Sequence, residues 1–285
     1  MEKICAGIVL YNPDLDRLKA NVDAISCQVE KVIIVDNGSS NVEDVKLLLA
    51  NYSNLIIIYN QENLGIAKAL NQILETAKSN GFEWALTLDQ DSVCPEKMIE
   101  RMYPYADMEK VGIVCPRFLN TVEIKEQEKA LPETEEIEMC ITSGSLTNVH
   151  AWEKSGKFDD WMFIDCVDYD ICLKLRQNGY SILRVNDVVI DHCVGSGKKV
   201  KFLGLFPTVV YNHSKMRNYY FVRNYVYIIR KYKKMIKPFK RKMYVLHWEL
   251  KKFFLEPHKM DTLKSFFKGL KDGKKIKINS KENNG

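Results

Sequence analysis

The chain has 285 residues, 46% hydrophobic and 28% charged, the composition of a globular protein long enough for one large core or two modest ones. Disorder, collagen-like repeats and low complexity are excluded as overall descriptions. The net charge of +5 conceals a division: residues 1–197 carry 18 Lys and Arg against 32 Asp and Glu (net −14), and residues 198–285 carry 24 against 5 (net +19). An acidic body precedes a basic tail, which could meet nucleic acid, anionic lipid or a phosphorylated substrate.

In chain order, Ile4 to Leu10 is an unbroken apolar run of strand length, well short of the ~20 residues that span a bilayer. Glu2-Lys3 with no following small-residue cleavage site make no signal peptide, so a cytoplasmic protein is expected. A helix is predicted near Asp14 to Cys27, then a strand over Val32 to Val35 closed by Asp36-Asn37-Gly38-Ser39-Ser40. Leu55 to Tyr59 is a third strand, Leu64 to Ser79 carries a helical apolar stripe, and Trp84 to Leu88 forms a fourth strand before Asp89. Continuous apolar strands joined by helices imply a parallel sheet covered on both faces. Beyond Val111 to Cys115 the pattern loosens, and Glu123 to Glu138, acidic with Pro132 in its middle, reads as a surface loop. From Met216 onward, interleaved aromatic and basic residues predict amphipathic helices broken at Pro238 and Pro257, with the last dozen residues frayed. The eight cysteines contain no C-x-x-C pair and several sit in apolar runs; buried free thiols are expected rather than a zinc site or disulfides.

Ligands of a parallel α/β sheet bind outside the carboxyl ends of the strands. Four such ends carry Tyr11-Asn12-Pro13, Asp36-Asn37-Gly38-Ser39, Asn63-Leu64-Gly65 and Asp89-Gln90-Asp91, all on one rim. Two carboxylates one residue apart on a turn suit a hard divalent cation such as Mg²⁺ or Mn²⁺, which keeps positions for phosphate oxygens and neutralises a departing diphosphate. Neither G-x-x-x-x-G-K-[ST] nor G-x-G-x-x-G is present, so a nucleotide would rest on metal and side chains. A second acidic cluster runs from Asp159 and Asp160 through Asp165, Asp168 and Asp170. Asp168 is expected at the start of a helix closed at Gly179, where the helix dipole favours its carboxylate and a facing hydroxyl could lose its proton to it. Asp165 and Asp170 compete for that role, and Asp159, Asp160 or both read as solvated.

The ordered set Val9-Leu10-Tyr11-Asn12-Pro13, Val35-Asp36-Asn37-Gly38-Ser39, Asn63 to Asn71, Leu88-Asp89-Gln90-Asp91, Ser143-Gly144-Ser145 and Phe163-Ile164-Asp165-Cys166-Val167-Asp168 resembles glycosyltransferase family 2, and within it the bacterial rhamnosyltransferases of capsule and O-antigen synthesis. The resemblance covers roughly residues 3–230. It implies an α/β GT-A fold, a Rossmann-like, mostly parallel sheet flanked by helices, with a basic amphipathic helical C-terminal segment. By resemblance, Tyr11, Asn12 and Asp36 hold the base and ribose, Asp89 lies near the ribose, and Asp91 binds Mg²⁺ or Mn²⁺. Asn63, Gly65, Lys68, Ser143, Gly144, Asp165, Arg217 and Arg223 complete the implied substrate-binding set. Asp168 takes the place of the family's catalytic base, with Val167 where a Glu is usual, and His192 resembles the later His that approaches the metal or diphosphate.

The expectation is an inverting, metal-dependent transferase moving L-rhamnose from dTDP-rhamnose to a polyprenyl-diphosphate-linked glycan; another hexose from a UDP-sugar is the alternative donor. Residues 1–197 would form the catalytic domain, and residues 198–285 would contact the acceptor or an anionic membrane on the inner face of the cell membrane. A homodimer is compatible with this reading. A nucleotidyltransferase would need a Gly-rich phosphate loop that Gly7 to Asn12 lacks, and the acidic strand ends speak against nucleic acid as partner.

Overall fold

A computed structural model describes residues 3–119, 131–191, 198–202, 206–210 and 214–278. The chain divides into two units: Met1–Phe163 with Val167–Cys193, and Ile164–Cys166 with Val194–Gly285.

In the first unit, β1 (Ile4–Leu10) is buried at every position, as an unbroken apolar strand with both faces covered must be. Then follow α1 (Leu15–Ser26), β2 (Lys31–Asp36), α2 (Val42–Leu49), β3 (Leu55–Tyr59), α3 (Ile66–Ser79) and β4 (Trp84–Asp89). Asp14 caps α1 by accepting from Arg17 N, the side-chain role that starts helices. Pairing is parallel through β3-β2-β1-β4, so all four predicted strand ends do fall on one rim. β3 is only half-buried because it is an edge.

The rest of the unit holds α4 (Met98–Met102), β5 (Val111–Leu119), β6 (Thr134–Glu136), β7 (Ser145–Asn148), α5 (Val149–Lys154), α6 (Val167–Gln177) and β8 (Ser181–Asp191). The eight-stranded order is β3-β2-β1-β4-β7-β5-β8-β6. β7 runs antiparallel to both β4 and β5, and β6 antiparallel to β8, so the sheet is mixed beyond β4 rather than parallel throughout. β6 also corrects the predicted loop over 123–138, of which residues 123–130 lie outside the described ones. It is a polar edge strand without apolar alternation, tied to its neighbour by an Arg184–Glu135 ion pair of 2.7 Å.

One core cluster joins Ile8, Leu10, Leu18, Val22, Ile34, Leu86, Leu146 and Val185 across the sheet. Five of the seven described cysteines are buried and all seven are free thiols, but Cys27 is exposed and Cys140 half-buried; Cys27 caps α1 at its solvent end. Burial pushes the Cys5 and Cys94 thiols up to about 12, which keeps them protonated and unreactive. Cys193 lies outside the described residues.

The second unit contains a hairpin, β9 (Lys198–Phe202) and β10 (Phe206–Val210), and three helices, α7 (Lys215–Lys231), α8 (Pro238–Leu255) and α9 (Lys259–Lys275). The helices break at Pro238 and Pro257 as predicted: Pro238 takes the first turn of α8, which has no use for the missing N–H, and Pro257 lies between α8 and α9. Lys274 and Lys275 of the predicted frayed end still belong to α9; residues 279–285 lie outside the described ones. α9 packs on α7 through Ser265, Gly269 and Gly273, all buried. A Cβ at Gly273 would stand 2.6 Å from the Arg223 carbonyl oxygen, and one at Gly269 2.9 Å from Val222 Cβ; only a missing side chain permits this approach. Among the described residues no helix is long and apolar enough to cross a membrane.

Candidate active site

The rim is assembled by side chains that tie one strand end to the next. Asp36 closes β2 and is almost wholly buried; its Oδ1 accepts from Gly38 N (3.2 Å) and Ser39 N (3.0 Å). Its Oδ2 is buried with no hydrogen-bond partner among the described residues, and a carboxylate oxygen left in that state calls for a donor from a ligand. Asn12, at φ +48°, donates its N–H to Ser39 Oγ (2.9 Å) and accepts at Oδ1 from Ser40 N (2.7 Å). The exposed Tyr11 ring stands beside it, its backbone N–H donated to Gln90 Oε1 at 2.8 Å. Thus the ends of β1, β2 and β4 are mutually bonded.

Asn63 and Gly65 join through Asn37, which sequence reasoning left unassigned. Asn37 Nδ2 donates to Asn63 Oδ1 (3.0 Å), and Asn37 Oδ1 accepts from Leu64 N (3.1 Å) and Asn60 Nδ2 (3.1 Å). Gly65 sits at φ +86°, and a Cβ there would lie 2.6 Å from the Phe163 backbone. The first N–H of α3, on Ile66, donates to the Phe163 carbonyl at 2.6 Å, so the segment leading towards α6 caps α3.

Asp89 ends β4 half-buried and Asp91 lies exposed on the following turn. Their backbone is pinned: Asn21 Nδ2 donates to Asp89 O (2.8 Å), Arg17 Nη2 to Asp91 O (2.7 Å), and Asp89 N to Ser143 Oγ (3.0 Å). Gly144 N donates to Thr87 O at 2.7 Å, so Ser143 and Gly144 are held against the end of β4. Asn21 is a buried asparagine on α1 and Gln90 lies between the two aspartates; neither was predicted, although a lone polar residue among Leu18, Val22 and Ile25 is a readable signal. As a donor set, two carboxylates suit a hard divalent cation, whose remaining positions go to water and phosphate oxygens. No group of three or more His, Cys, Asp or Glu side chains converges among the described residues, so diphosphate oxygens would have to complete the shell. His192 lies outside the described residues.

The second acidic cluster separates by environment. Asp168 is half-buried in the first turn of α6, its Oδ1 accepting from Tyr169 N at 2.9 Å. The helix ends as predicted at Gly179, with Gly179 N donating to Arg176 O and Tyr180 N to Leu175 O. Asp170 is buried against Lys174 Nζ at 3.2 Å, and the same ammonium meets Asp159 at 2.8 Å. Burial alone would lower the Lys174 pKa, but Asp170 and Asp159 together raise it. Asp159 is therefore not solvated. Asp160 is exposed as predicted, and at the surface it accepts from Lys68 Nζ (2.9 Å) and Asn71 Nδ2 (2.6 Å); Lys68 on α3 is thereby engaged by an ion pair.

Asp165, Arg217 and Arg223 belong to the second unit. Arg217 Nε donates to Asp165 Oδ1 at 3.1 Å, while burial pushes the Asp165 carboxyl above its usual range despite that guanidinium. Arg223 lies over the Tyr220 ring at 4.5 Å and donates through Nε to Asn224 Oδ1 at 2.9 Å. A groove of about 640 Å³ beside α1 and α4, lined by Ala20, Ala24, Cys27, Gln28, Cys94 and Ile99, contains none of these residues.

The Glycosyl transferase family 2 model matches residues 5–155, more than half of the chain and every strand end of the rim. The chain belongs to glycosyltransferase family 2. Within that family it is 30% identical over 243 residues to the dTDP-rhamnosyl transferase RfbF of Shigella flexneri, covering 80% of each protein. Its fold is GT-A. The mannosyltransferase PcManGT of Pyrobaculum calidifontis, solved with GDP-Man and Mn²⁺, superposes with a TM-score of 0.59 at 15% identity, over 97% of this chain and 76% of that one. GalNAc-T7, solved with UDP, GalNAc and Mn²⁺, gives 0.62 at 13% identity, over 95% and 56%. This family 2 protein is a glycosyltransferase enzyme, and its relatives' nucleotide-sugar use accords with a rim of polar strand ends.

Proposed function

We propose that this glycosyltransferase moves L-rhamnose from dTDP-rhamnose, with inversion, to a hydroxyl of a polyprenyl-diphosphate-linked glycan at an anionic membrane. The carrying observation is the 30% identity over 80% of both chains with a dTDP-rhamnosyl transferase. Tyr11, Asn12 and Asp36 hold the nucleoside: the buried Asp36 Oδ2, without a hydrogen-bond partner among the described residues, accepts from it, and the exposed Tyr11 ring lies against its base. Asn63, Gly65, Ser143 and Gly144 shape the sugar and diphosphate end. Asp91, with Asp89 beside it, would hold Mg²⁺ or Mn²⁺, which neutralises the charge on the leaving diphosphate.

Asp168 is the general base. Its carboxylate takes the acceptor hydroxyl proton as that oxygen attacks the anomeric carbon on the face opposite the diphosphate. Asp170 cannot serve, because its carboxylate is buried against Lys174. Residues 1–197 carry the donor site, and the basic residues 198–285 bring acceptor and membrane to the enzyme. Nucleotide release from dTDP-rhamnose, UDP-glucose and UDP-galactose, each with Mn²⁺, tests the donor. Release from dTDP-rhamnose at least about tenfold above either UDP-sugar is expected; a preference for a UDP-hexose overturns the rhamnosyl reading.

A further inference from the structure

The helix α8 is turned inside out. Its face towards the rest of the second unit carries Val245, Glu249 and Lys252, all buried. Glu249 Oε2 accepts from Asn218 Nδ2 at 3.0 Å and Lys252 Nζ donates to Asn218 Oδ1 at 2.5 Å, so both charged side chains are engaged inward, although Glu249 Oε1 is buried without a hydrogen-bond partner among the described residues. The opposite face carries Phe239, Met243, Leu246, Leu250 and Phe254, which are between 40% and 78% exposed. At 100° per residue these five fall within an arc of about 80° along about 22 Å of helix. They form a contiguous apolar stripe, which a protein that keeps to water rarely presents.

We propose that this stripe is inserted into an anionic lipid surface; the inference rests on the membrane contact proposed above and names the surface that makes it. Charge selects the occupant. Exposed Lys240 and Lys242 and half-exposed Lys251 border the stripe, in a segment holding 24 basic against 5 acidic residues. A second copy meeting the stripe about a two-fold axis would bring the same lysines face to face. Lipid headgroups bring the opposite charge, and lysine stems reach past an apolar boundary to meet them. Since no described helix can cross a bilayer, α8 lies in the plane of the interface, its apolar side chains among the acyl chains.

The test is sedimentation of the full chain with phosphatidylcholine vesicles, with and without phosphatidylglycerol. Wild type is expected to bind the mixed vesicles and not the neutral ones. Leu246→Glu combined with Leu250→Glu changes only exposed positions and should lower that binding at least about tenfold with an unchanged melting temperature. Leu47→Glu, at an exposed leucine of the first unit, should retain it. If wild type binds and the double variant binds equally, the stripe is not the inserting face and the membrane contact stands without it. If wild type binds neither vesicle, the membrane contact itself fails. A concentration-dependent dimer that the double variant abolishes assigns the stripe to a second copy and overturns the proposal.

Discussion

Asn224 Nδ2 donates a 2.8 Å hydrogen bond to the carbonyl oxygen of Asp165, a residue held at φ +64°. The same nitrogen donates to Ile164 O at 2.9 Å, and Asn224 Oδ1 accepts from Arg223. Phe163, Asp165 and Cys166 all have positive φ, a conformation that costs a non-glycine residue and persists only where neighbours enforce it. This strained turn leads directly into α6 and Asp168. Asn224 is fully buried, so Asn224→Ala should lower stability in urea by about 1–3 kcal/mol and reduce turnover while leaving nucleotide binding intact. Unaltered stability and turnover would show that the turn holds itself.

The seam between α7 and α9 is set by glycine. Alanine normally improves a helix by up to about 1 kcal/mol over glycine, yet at position 273 its Cβ would press on the Arg223 carbonyl. Gly273→Ala is therefore expected to destabilise by about 1–3 kcal/mol through overpacking, read from thermal or urea unfolding. A stabilised variant would contradict the packing described.

Asp165 should make stability fall as pH rises. Its folded pKa is raised by burial, so the folded chain holds the proton longer than the unfolded chain does. The favourable contribution is complete below the unfolded value of about 4 and is lost as pH climbs through the folded one. Asp165→Asn keeps an oxygen for Arg217 Nε and removes this titration. Urea unfolding at intervals upward from about pH 4 should show a shallower decline for the variant; parallel curves count against the assignment.

Asp91 bears the metal claim. Its carboxylate is exposed on the turn while its backbone carbonyl is tied to Arg17, so Asp91→Asn should leave the melting temperature unchanged and abolish the Mn²⁺-dependent part of dTDP binding by calorimetry. Equal binding with and without Mn²⁺ in wild type would remove the metal from the account.

What the sequence made legible follows from burial. The strands between Ile4 and Asp89 announce themselves because β1, β2 and β4 are covered on both faces and each of the four, the half-buried edge β3 included, is a nearly unbroken apolar run, and the polar residues ending them stand out by contrast. β6 could not be read, since Thr134-Glu135-Glu136 is a polar edge held by register to β8. Nor could the asparagine junctions: Asn37, Asn71 and Asn224 act through partners 23 to 89 residues away, a relation no local period encodes. Asn71 alone shows the difficulty, as its Oδ1 accepts from Trp152 Nε1 and Phe158 N inside what reads as an apolar helix stripe. The inversion of α8 escaped for a similar reason, because periodicity finds an apolar face without saying which way it points.

The central claim is that Asp168 acts as base in sugar transfer from a nucleotide donor. The direct measurement is nucleotide release from dTDP-rhamnose with Mn²⁺, in which water takes the acceptor's place and must lose its proton to the same group. Asp168→Asn is expected to bind dTDP as wild type does and to release it about two to four orders of magnitude more slowly. Release at the wild-type rate from Asp168→Asn, with release lost in Asp165→Asn, would contradict the account and give the role to the other carboxylate.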